Sequence, residues 1–206
     1  MPRKAALLLA VVLVIAAAGI GLLASAKSPA PEPAAAPAPP QRATPLAPSS
    51  GAIDAAFRDL DLVKPSRSKA AEDFALPALD GGTFRLAEQR GKTVLVNFWA
   101  TWCPPCLEEM PAMERLWRKH KDAGFVMVAV SVDADPQKVR PFVEQHKLSF
   151  PIAFDPKMAV ARKNGIRWLP VTLVVNRKGV IVGRAIGPRE WDGKEALEFI
   201  QPLLGK

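Results

Sequence analysis

The chain has two cysteines, Cys103 and Cys106, which enclose Pro104 and Pro105 and follow Trp102. A thiolate attacks disulfides, and a second thiol nearby can then displace the mixed disulfide that forms. The spacing therefore predicts a redox-active dithiol. Because no other cysteine is present, the chain is not a small domain held together by several disulfides.

The residues on either side of the cysteines favour the same chemistry. Residues 93–99 are a continuous apolar run, typical of a strand buried on both faces, and residues 108–120 have a helical pattern. Cys103 is therefore expected at a helix N-terminus, where free N–H groups and the helix dipole lower the pKa of a thiol below its free value of about 8.5. The two prolines supply no N–H groups and so tune how strongly the thiolate is stabilised.

Two other interpretations of the cysteine pair stay open. A zinc site needs about four ligands, and the spacing of the two histidines, His120 and His146, matches no zinc-finger pattern. A purely structural disulfide would close too small a loop to add much stability through loop entropy. The adjoining strand, helix and tryptophan favour the redox interpretation.

From about residue 70 the pattern alternates between strands and helices, as in α/β domains. Apolar stretches at 74–79 and 83–86 flank Asp80-Gly81-Gly82 and predict a β-hairpin. Further along we predict a strand at 125–132 and then a helix opened by Asp135 and Pro136, which Pro141 should kink or delay. The remaining predicted elements are a short helix at 155–164, strands at 171–175 and 180–186, and a helix at 190–204.

The N-terminus predicts a membrane segment. Arg3 and Lys4 precede residues 5–24, which carry no charged or polar side chain. Twenty helical residues span about 30 Å, the thickness of the hydrocarbon core of a bilayer. Because flanking positive charges stay in the cytoplasm, residues 1–26 are expected to be a single-pass anchor in the inner (cytoplasmic) membrane, with the rest of the chain exported.

A cleaved signal peptide is the alternative interpretation of this segment. Ala24-Ser25-Ala26 fits the small-residue pattern that signal peptidase recognises, so cleavage at Ala26 would release the protein to the periplasm. The apolar run is longer than the roughly 7–15 residues usual for a signal peptide, which favours the uncleaved anchor.

Residues 27–69 are predicted to be a linker between the membrane and a domain at 70–206. Residues 27–50 include 8 prolines and 7 alanines, a composition that favours extended polyproline II over a packed core. At about 3.1 Å per residue this stretch would reach roughly 70 Å. Closer to the domain, a short helix is predicted at 53–63 from the spacing of apolar residues: Ile53, Phe57, Leu60 and Val63.

Composition and charge exclude some classes of function for this protein. The 206 residues suit one ordinary domain with extensions, since 49% are hydrophobic. The net charge of +8 is spread along the chain: residues 1–70 carry 8 basic and 4 acidic residues, and residues 71–206 carry 20 and 16. Such interleaved charge argues against a nucleic-acid partner. No nucleotide, flavin or phosphate-loop motif is present in the sequence, so no cofactor beyond the cysteine pair is expected.

The sequence around the cysteines resembles a known family. Residues 97–111, Asn-Phe-Trp-Ala-Thr-Trp-Cys-Pro-Pro-Cys-Leu-Glu-Glu-Met-Pro, are similar to the active site of the thioredoxin superfamily, and more narrowly of the TlpA/ResA-like membrane-anchored thiol–disulfide oxidoreductases. A later Pro-x-Thr at Pro170 also matches in order, and the resemblance covers residues 70–206. It implies a thioredoxin fold, in which helices flank a central mixed β-sheet, with an N-terminal β-hairpin and a central α/β insertion.

The resemblance also implies roles for individual residues. Cys103 corresponds to the exposed attacking cysteine and Cys106 to the buried resolving cysteine. Pro170 corresponds to the cis-proline beside the disulfide, whose preceding residue offers backbone groups to a substrate strand. The expected substrate-binding residues are Trp102, Pro104, Pro105, Trp168 and Leu169. Trp168 departs from the family pattern, in which glycine is frequent at that position, and is expected to reshape the substrate groove.

Glu109 corresponds to a family glutamate that takes the proton of the resolving cysteine. Thioredoxin uses an aspartate for this step, and Asn97, which cannot accept a proton, stands in its place here. We therefore expect Glu109 to be partly buried with a raised pKa. The alternative is a solvated residue in the first helical turn that interacts with the helix dipole, as expected for its neighbour Glu108.

The function that the resemblance implies is reduction of disulfides in exported proteins, such as apocytochrome c or copper-site assembly proteins. A membrane electron donor of the CcdA or DsbD type would then re-reduce the pair, since exported compartments are oxidising. A thiol oxidase of the same fold, and a copper- or zinc-binding module built on the two thiolates, are the alternatives.

Overall fold

The structure, a computed structural model, describes residues 50–66 and 69–204. The predicted membrane segment at 5–24 and the linker residues up to 49 lie outside this range. Within the described residues, no helix has both the length and the apolar character needed to cross a membrane.

Nine strands and five α-helices are assigned in the described residues. The strands are β1 (Leu62–Val63), β2 (Lys69–Ala70), β3 (Ala75–Pro77), β4 (Thr83–Arg85), β5 (Thr93–Trp99), β6 (Phe125–Ser131), β7 (Ile152–Phe154), β8 (Val171–Val175) and β9 (Val180–Ile186). The helices are α1 (Ser50–Asp59), α2 (Pro104–His120), α3 (Val139–Gln145), α4 (Ala159–Lys163) and α5 (Lys194–Ile200).

The central sheet is mixed, as predicted for a thioredoxin fold. Its strand order is β1-β9-β8-β5-β6-β7, and β2 also pairs with β9. Every residue of β5, β6 and β8 is buried, which explains why these strands read as continuous apolar runs. The predicted hairpin is confirmed as β3–β4, and α3, β7 and α4 lie between β6 and β8, where the central insertion was expected.

The strand directions bring three chain segments to one edge of the sheet. β5 and β6 are parallel and end together, with Trp99 opposite Ser131. β8 is antiparallel to β5 and begins at the same edge, where Val171 lies opposite Phe98. The residues that follow β5 and β6 and those that precede β8 therefore share this edge, which we call the site edge.

Helix α2 begins earlier than predicted. The expected start was residue 108, but the helix opens at Pro104, with Cys103 as its extended N-cap residue at φ −103° and ψ 98°. Proline suits the first helical turn because its fixed φ is helical and its missing N–H needs no partner there. Pro111 removes a hydrogen bond inside the helix but does not end it.

Three predicted elements differ from the observed ones for local reasons. The helix after Asp135 is delayed, as the position of Pro141 suggested: Asp135 accepts a hydrogen bond from the Gln137 N–H in a 3-10 turn, and α3 starts only at residue 139. The helix predicted from Asp155 starts at residue 159, because the Asp155 carboxylate caps it by accepting the N–H groups of residues 159 and 161. The last helix starts at residue 194 rather than 190, since Trp191 is buried in a loop.

The helix predicted at 53–63 exists but ends sooner. Asp61 has a left-handed φ of 47°, which turns the chain from α1 into β1, so that Val63 lies exposed on a strand rather than on a helix face. The rings of Phe57 on α1 and Phe199 on α5 pack edge to face, with 4.7 Å between their centroids. β1 and β2 pair with β9. Packed structure therefore begins before residue 70, where the sequence placed the start of the domain.

The packing of Phe199 predicts a measurable effect on stability. Phe199→Ala is expected to lower the free energy of unfolding by about 3–5 kcal/mol, because it removes a fully buried ring from the contact between α1 and α5. Glu198→Ala is the control, since Glu198 forms only an exposed ion pair with Lys194 and should change stability by less than about 0.5 kcal/mol. Urea denaturation of both variants checks the expectation, and equal stabilities would contradict it.

Candidate active site

Cys103 and Cys106 form a disulfide across the first turn of α2, with an S–S distance of 2.05 Å. Cys106 is fully buried, as expected for a resolving cysteine. Cys103 was expected to be exposed, but only 5% of it is accessible in this oxidised form. Its sulfur is bonded in this form to the sulfur of the fully buried Cys106. Cys103 is still the more accessible of the two cysteines, so an attacking thiol reaches it first.

The start of α2 has no free N–H groups to offer a thiolate. Pro104 and Pro105 have none, and the N–H groups of Cys106 and Leu107 both donate to the backbone oxygen of Cys103, at 3.0 and 3.2 Å. The sequence expectation of stabilisation by free N–H groups is therefore wrong. The helix dipole remains, but the hydrogen bonds that most strongly stabilise a thiolate at a helix N-terminus are absent from these four residues.

Glu109 lies one helical turn beyond Cys106 and is buried, with 2% of its surface accessible. Its Oε1 accepts a hydrogen bond from Asn97 Nδ2 at 2.8 Å. Its Oε2 accepts from the indole N–H of Trp191 at 2.9 Å and from the backbone N–H of Arg189 at 3.2 Å. These donors come from β5 and from the loop between β9 and α5, so three separate parts of the fold meet at one carboxyl group.

Burial raises the pKa of Glu109 from an ordinary value of 4.5 to about 7. The hydrogen bonds from Trp191, Arg189 and Asn97 and the charge of Arg189 act in the opposite direction, because they stabilise the carboxylate, but they offset the desolvation only in part. The predicted burial and raised pKa are confirmed, and the solvated alternative is wrong. Glu108, in contrast, is exposed.

Asn97 ties Glu109 to the middle of the sheet. The Nδ2 group that donates to Glu109 also donates to Thr172 Oγ1, at 2.9 Å, and Thr172 lies directly opposite Asn97 in the β5–β8 pair. The Oδ1 of Asn97 is buried and accepts a hydrogen bond from no residue in the described part of the chain. The side chain that replaces the thioredoxin aspartate therefore positions the Glu109 carboxyl group.

Asp133 is a buried carboxylate at the site edge that the sequence analysis did not select. It accepts hydrogen bonds from the Thr101 N–H at 3.0 Å and the Thr101 hydroxyl at 2.6 Å. The Ser131 hydroxyl donates to it at 2.8 Å. These bonds fix the turn that leads into Cys103. An acidic residue directly after the strand predicted at 125–132 was the available signal.

The peptide bond between Leu169 and Pro170 is cis, as the resemblance implied. Pro170 is buried and Leu169 is half-buried at the site edge. The carbonyl oxygen of Pro170 accepts a hydrogen bond from the Gly187 N–H at 2.9 Å, so this peptide carbonyl is held by the loop that follows β9.

Large apolar side chains are exposed along the same edge. Trp102 and Trp168 are 67% and 57% accessible, and Ile186, opposite Val171 in the β8–β9 pair, is 38% accessible. We call Trp102, Trp168 and Ile186 the apolar rim. Pro104 is exposed and Pro105 is half-buried, so all five predicted substrate-binding residues have surface at this edge. Ile186 was not predicted, because it lies on a strand far from the cysteines in sequence.

The described ranges, 50–66 and 69–204, contain no group of three or more His, Cys, Asp or Glu side chains placed to share a metal ion. The imidazole Nε2 of His120 is buried without a hydrogen-bond partner, and burial lowers the pKa of this histidine.

The cysteine pair lies at the start of a helix, on the same edge of the sheet as a cis-proline, and the sheet is mixed with this strand order. Thioredoxin-like proteins that exchange thiols and disulfides have this arrangement. The fold and site therefore define a thiol–disulfide oxidoreductase, and its redox-active group is the Cys103–Cys106 pair. Known proteins give the same result.

The chain belongs to the Redoxin family, whose model matches residues 66–198. It is 39% identical over 147 residues to the thiol-disulfide oxidoreductase ResA of Halalkalibacterium halodurans. The aligned residues cover 71% of this chain and 82% of that relative. A Chlorobium tepidum structure described as the thiol:disulfide interchange protein DsbE has a TM-score of 0.61 and 35% identity, over 69% of this chain and 99% of that one. The structure of StoA from Bacillus subtilis has a TM-score of 0.51 and 28% identity, over 57% and 90%.

The raised pKa of Glu109 predicts a pH-dependent stability. In the unfolded chain this carboxyl ionises near pH 4.5, whereas in the folded protein it stays protonated up to about pH 7. Its contribution is therefore fully present below pH 4.5 and is lost as the pH rises to about 7, a difference of about 3 kcal/mol. Glu109→Gln carries no ionisable group at this position, so its stability should lack this pH-dependent loss between pH 4.5 and pH 8.

Urea denaturation of the oxidised wild type, Glu109→Gln and the control Glu108→Gln at pH 4.5 and pH 8 checks this expectation. Glu108 is an exposed neighbour on the same helix, so its variant should follow the wild type. Parallel pH dependences for the wild type and Glu109→Gln would contradict it.

Proposed function

We propose that the protein is a membrane-tethered reductase that acts on disulfides of other exported proteins. In the reductive half-cycle, the Cys103 thiolate attacks one sulfur of a substrate disulfide, and the other substrate sulfur leaves as a thiolate. Cys106 then gives up its proton and attacks the Cys103 sulfur. The substrate is released with both sulfurs reduced, and the two electrons come from the protein, which now holds the Cys103–Cys106 disulfide.

The observation that carries the direction of this reaction is the absence of free N–H groups at the first four residues of α2. A dithiol is a strong oxidant when its reduced form is stabilised, because the disulfide is then readily reduced. Here the prolines remove two donors and the Cys103 carbonyl occupies the next two. Donors held by the Cys103 carbonyl contribute little to a Cys103 thiolate, so this arrangement supports a low reduction potential and hence a reductant.

Glu109 is proposed to take the proton of Cys106. It lies one helical turn from Cys106, and burial raises its pKa to about 7, so it exchanges protons near neutral pH. Above this pH the carboxylate can accept the proton, and below it the group is already protonated. Deprotonation of a fully buried thiol needs an acceptor inside the protein, since bulk water does not reach it.

The site edge supports a protein substrate. Pro170 and the half-buried Leu169 present backbone close to the start of α2, and the apolar rim lies along the same edge. Such a surface suits an extended, cysteine-containing segment with apolar residues beside the cysteine. Apocytochrome c and copper-site assembly proteins are the proposed substrates, by analogy with the family.

The proposed location is the inner membrane, with the N-terminus in the cytoplasm and the catalytic domain in the periplasm. The apolar run at 5–24 and the preceding basic residues support it. A proline-rich linker of this length lets the domain reach partners away from the bilayer. A CcdA- or DsbD-type membrane protein is the proposed electron donor, and release to the periplasm after cleavage at Ala26 is the alternative.

The reduction potential tests the direction of exchange. The purified full-length protein, equilibrated in thiol–disulfide buffers, is expected to have a potential well below about −200 mV. A value near about −120 mV would make it an oxidase and overturn the reductase proposal. Pro105→Ala, which restores one N–H beside Cys103, should raise the potential by about 10–30 mV, the equivalent of one modest hydrogen bond. Pro111→Ala restores an N–H deeper in the same helix and should leave the potential unchanged.

The pH profile of exchange tests the role of Glu109. The wild type is expected to reduce a disulfide-containing peptide faster as the pH rises through about 7, the pKa of Glu109. Glu109→Gln should abolish that step and slow exchange at pH 8 by about 100-fold, a usual effect of removing a general base. Glu108→Gln is the control. Stopped-flow fluorescence measures the rates, and a Glu109→Gln profile that keeps the step near pH 7 would sink the proposed role.

A further inference from the structure

The loop between β9 and α5, residues 187–193, connects the buried carboxyl group to the N-terminal part of the fold. Its residue Arg189 donates its backbone N–H to Glu109 Oε2 at 3.2 Å. The guanidinium of the same residue donates from Nε to the Leu60 carbonyl oxygen at 2.6 Å and from Nη2 to the Asp61 carbonyl oxygen at 2.9 Å. Nη2 also contacts the Asp61 carboxylate at 3.0 Å. Arg189 therefore contacts both the Glu109 carboxyl group and the residues that follow α1.

The contacts at Leu60 and Asp61 are those of a helix cap. Both residues follow the last residue of α1, where backbone carbonyl groups have no partner within the helix and the helix dipole favours a cation. The Arg189 side chain is 15% accessible, so its planar donors are fixed in place. The Asp61 carboxylate is 94% accessible and adds little, which leaves the two carbonyl groups as the main attachment.

We propose that Arg189 is a positioning residue for the redox site: it couples the docking of the N-terminal segment, residues 50–63, to the hydrogen bonds on the Glu109 carboxyl group. The inference rests on the proposed role of Glu109 as the proton acceptor for Cys106. When the segment is docked, Leu60 and Asp61 hold the guanidinium, and the backbone N–H of the same residue is held against Glu109. When the segment is released, that N–H loses its fixed position.

The direction of the effect follows from the groups that face Glu109. Asn97 on β5, Thr172 beyond it on β8 and Trp191 in the loop are uncharged. On its own helix, Cys106 is bonded to Cys103 in this oxidised form and has a titratable thiol only after reduction, and the neighbouring Glu108 is exposed. The Arg189 charge acts on Glu109 directly and lowers its pKa, as does the Arg189 N–H.

Two further charged groups face the loop from outside. Asp61 pairs with Arg189, and Arg115 on α2 pairs with Asp192 of the loop at 2.5 Å. Loss of the Arg189 side chain therefore removes a cation and leaves the N–H of residue 189 without a fixed position, and both changes disfavour the ionised carboxylate. Glu109 then binds its proton more tightly, and the form that accepts a proton is reached only at higher pH.

The test compares Arg189→Met with Arg115→Met in the full-length protein. Both changes remove a guanidinium that contacts the neighbourhood of the 187–193 loop, but Arg115 bonds neither to Glu109 nor to residues 60–61. Two quantities are measured for each variant. Amide hydrogen exchange reports the docking of residues 50–63, and the pH midpoint of disulfide exchange reports the protonation of Glu109.

Arg189→Met is expected to speed amide exchange in residues 54–60 at least tenfold relative to β5, and to raise the pH midpoint of disulfide exchange by about half a unit to one unit. Below the midpoint, that shift is a three- to tenfold loss of rate. Arg115→Met should change neither quantity. Arg189→Lys keeps the charge but not the planar fork, so it should shift both quantities in the same direction by less.

Three outcomes overturn the coupling. In Arg189→Met, the first is faster exchange of α1 amides with an unchanged pH midpoint, and the second is a shifted pH midpoint with α1 amides still protected. In Arg189→Lys, the third is that both quantities equal those of the wild type, which would reduce the effect to charge alone. Near-native protection of β5 amides in each variant establishes that the domain is folded. If Glu109→Gln keeps the step near pH 7, the proposed function of Glu109 fails. If Glu109→Gln abolishes the step while Arg189→Met does not move it, only the coupling fails.

Discussion

The structure depends on the burial of one ionisable group, the Glu109 carboxyl. A carboxylate in an apolar interior needs several donors, and here β5 supplies one and the loop before α5 supplies two. Those donors fix how α2 sits on the sheet and how the last loop closes over it. The opposition between desolvation and these hydrogen bonds leaves the pKa near 7 instead of at either extreme. The same contacts that position the group thus make it responsive to neutral pH.

The short-range features of the site could be predicted from the sequence. Continuous apolar runs identified β5, β6 and β8, and the residues from Asn97 to Pro111 identified the cysteine pair and Glu109. The donors from Arg189 and Trp191 could not be predicted, because they come from a loop about eighty residues away. The sequence pattern assigned Trp191 to the helix predicted at 190–204 and Arg189 to no element. β1, β2 and β7 have two or three residues each, too few to show a period.

The two prolines between the cysteines have an effect that the helix position alone did not reveal. A helix N-terminus normally offers free N–H groups to an anion, and that generality favoured a strongly stabilised thiolate. The observed hydrogen bonds reverse that expectation, because the first N–H groups after the prolines, those of Cys106 and Leu107, donate to the Cys103 carbonyl oxygen. The two intervening residues therefore matter for the proposed direction of electron flow, and not only the cysteines.

The two short strands beside β9 have a consequence for how the domain can be isolated. β1 and β2 occupy the side of β9 that β8 does not, so the residues before 71 cover what would otherwise be the outer strand of the sheet. A fragment cut at residue 71 would expose a seven-residue edge with unpaired N–H and C=O groups, a template for strand pairing between molecules. In the intact chain, β1 and β2 pair with part of that edge.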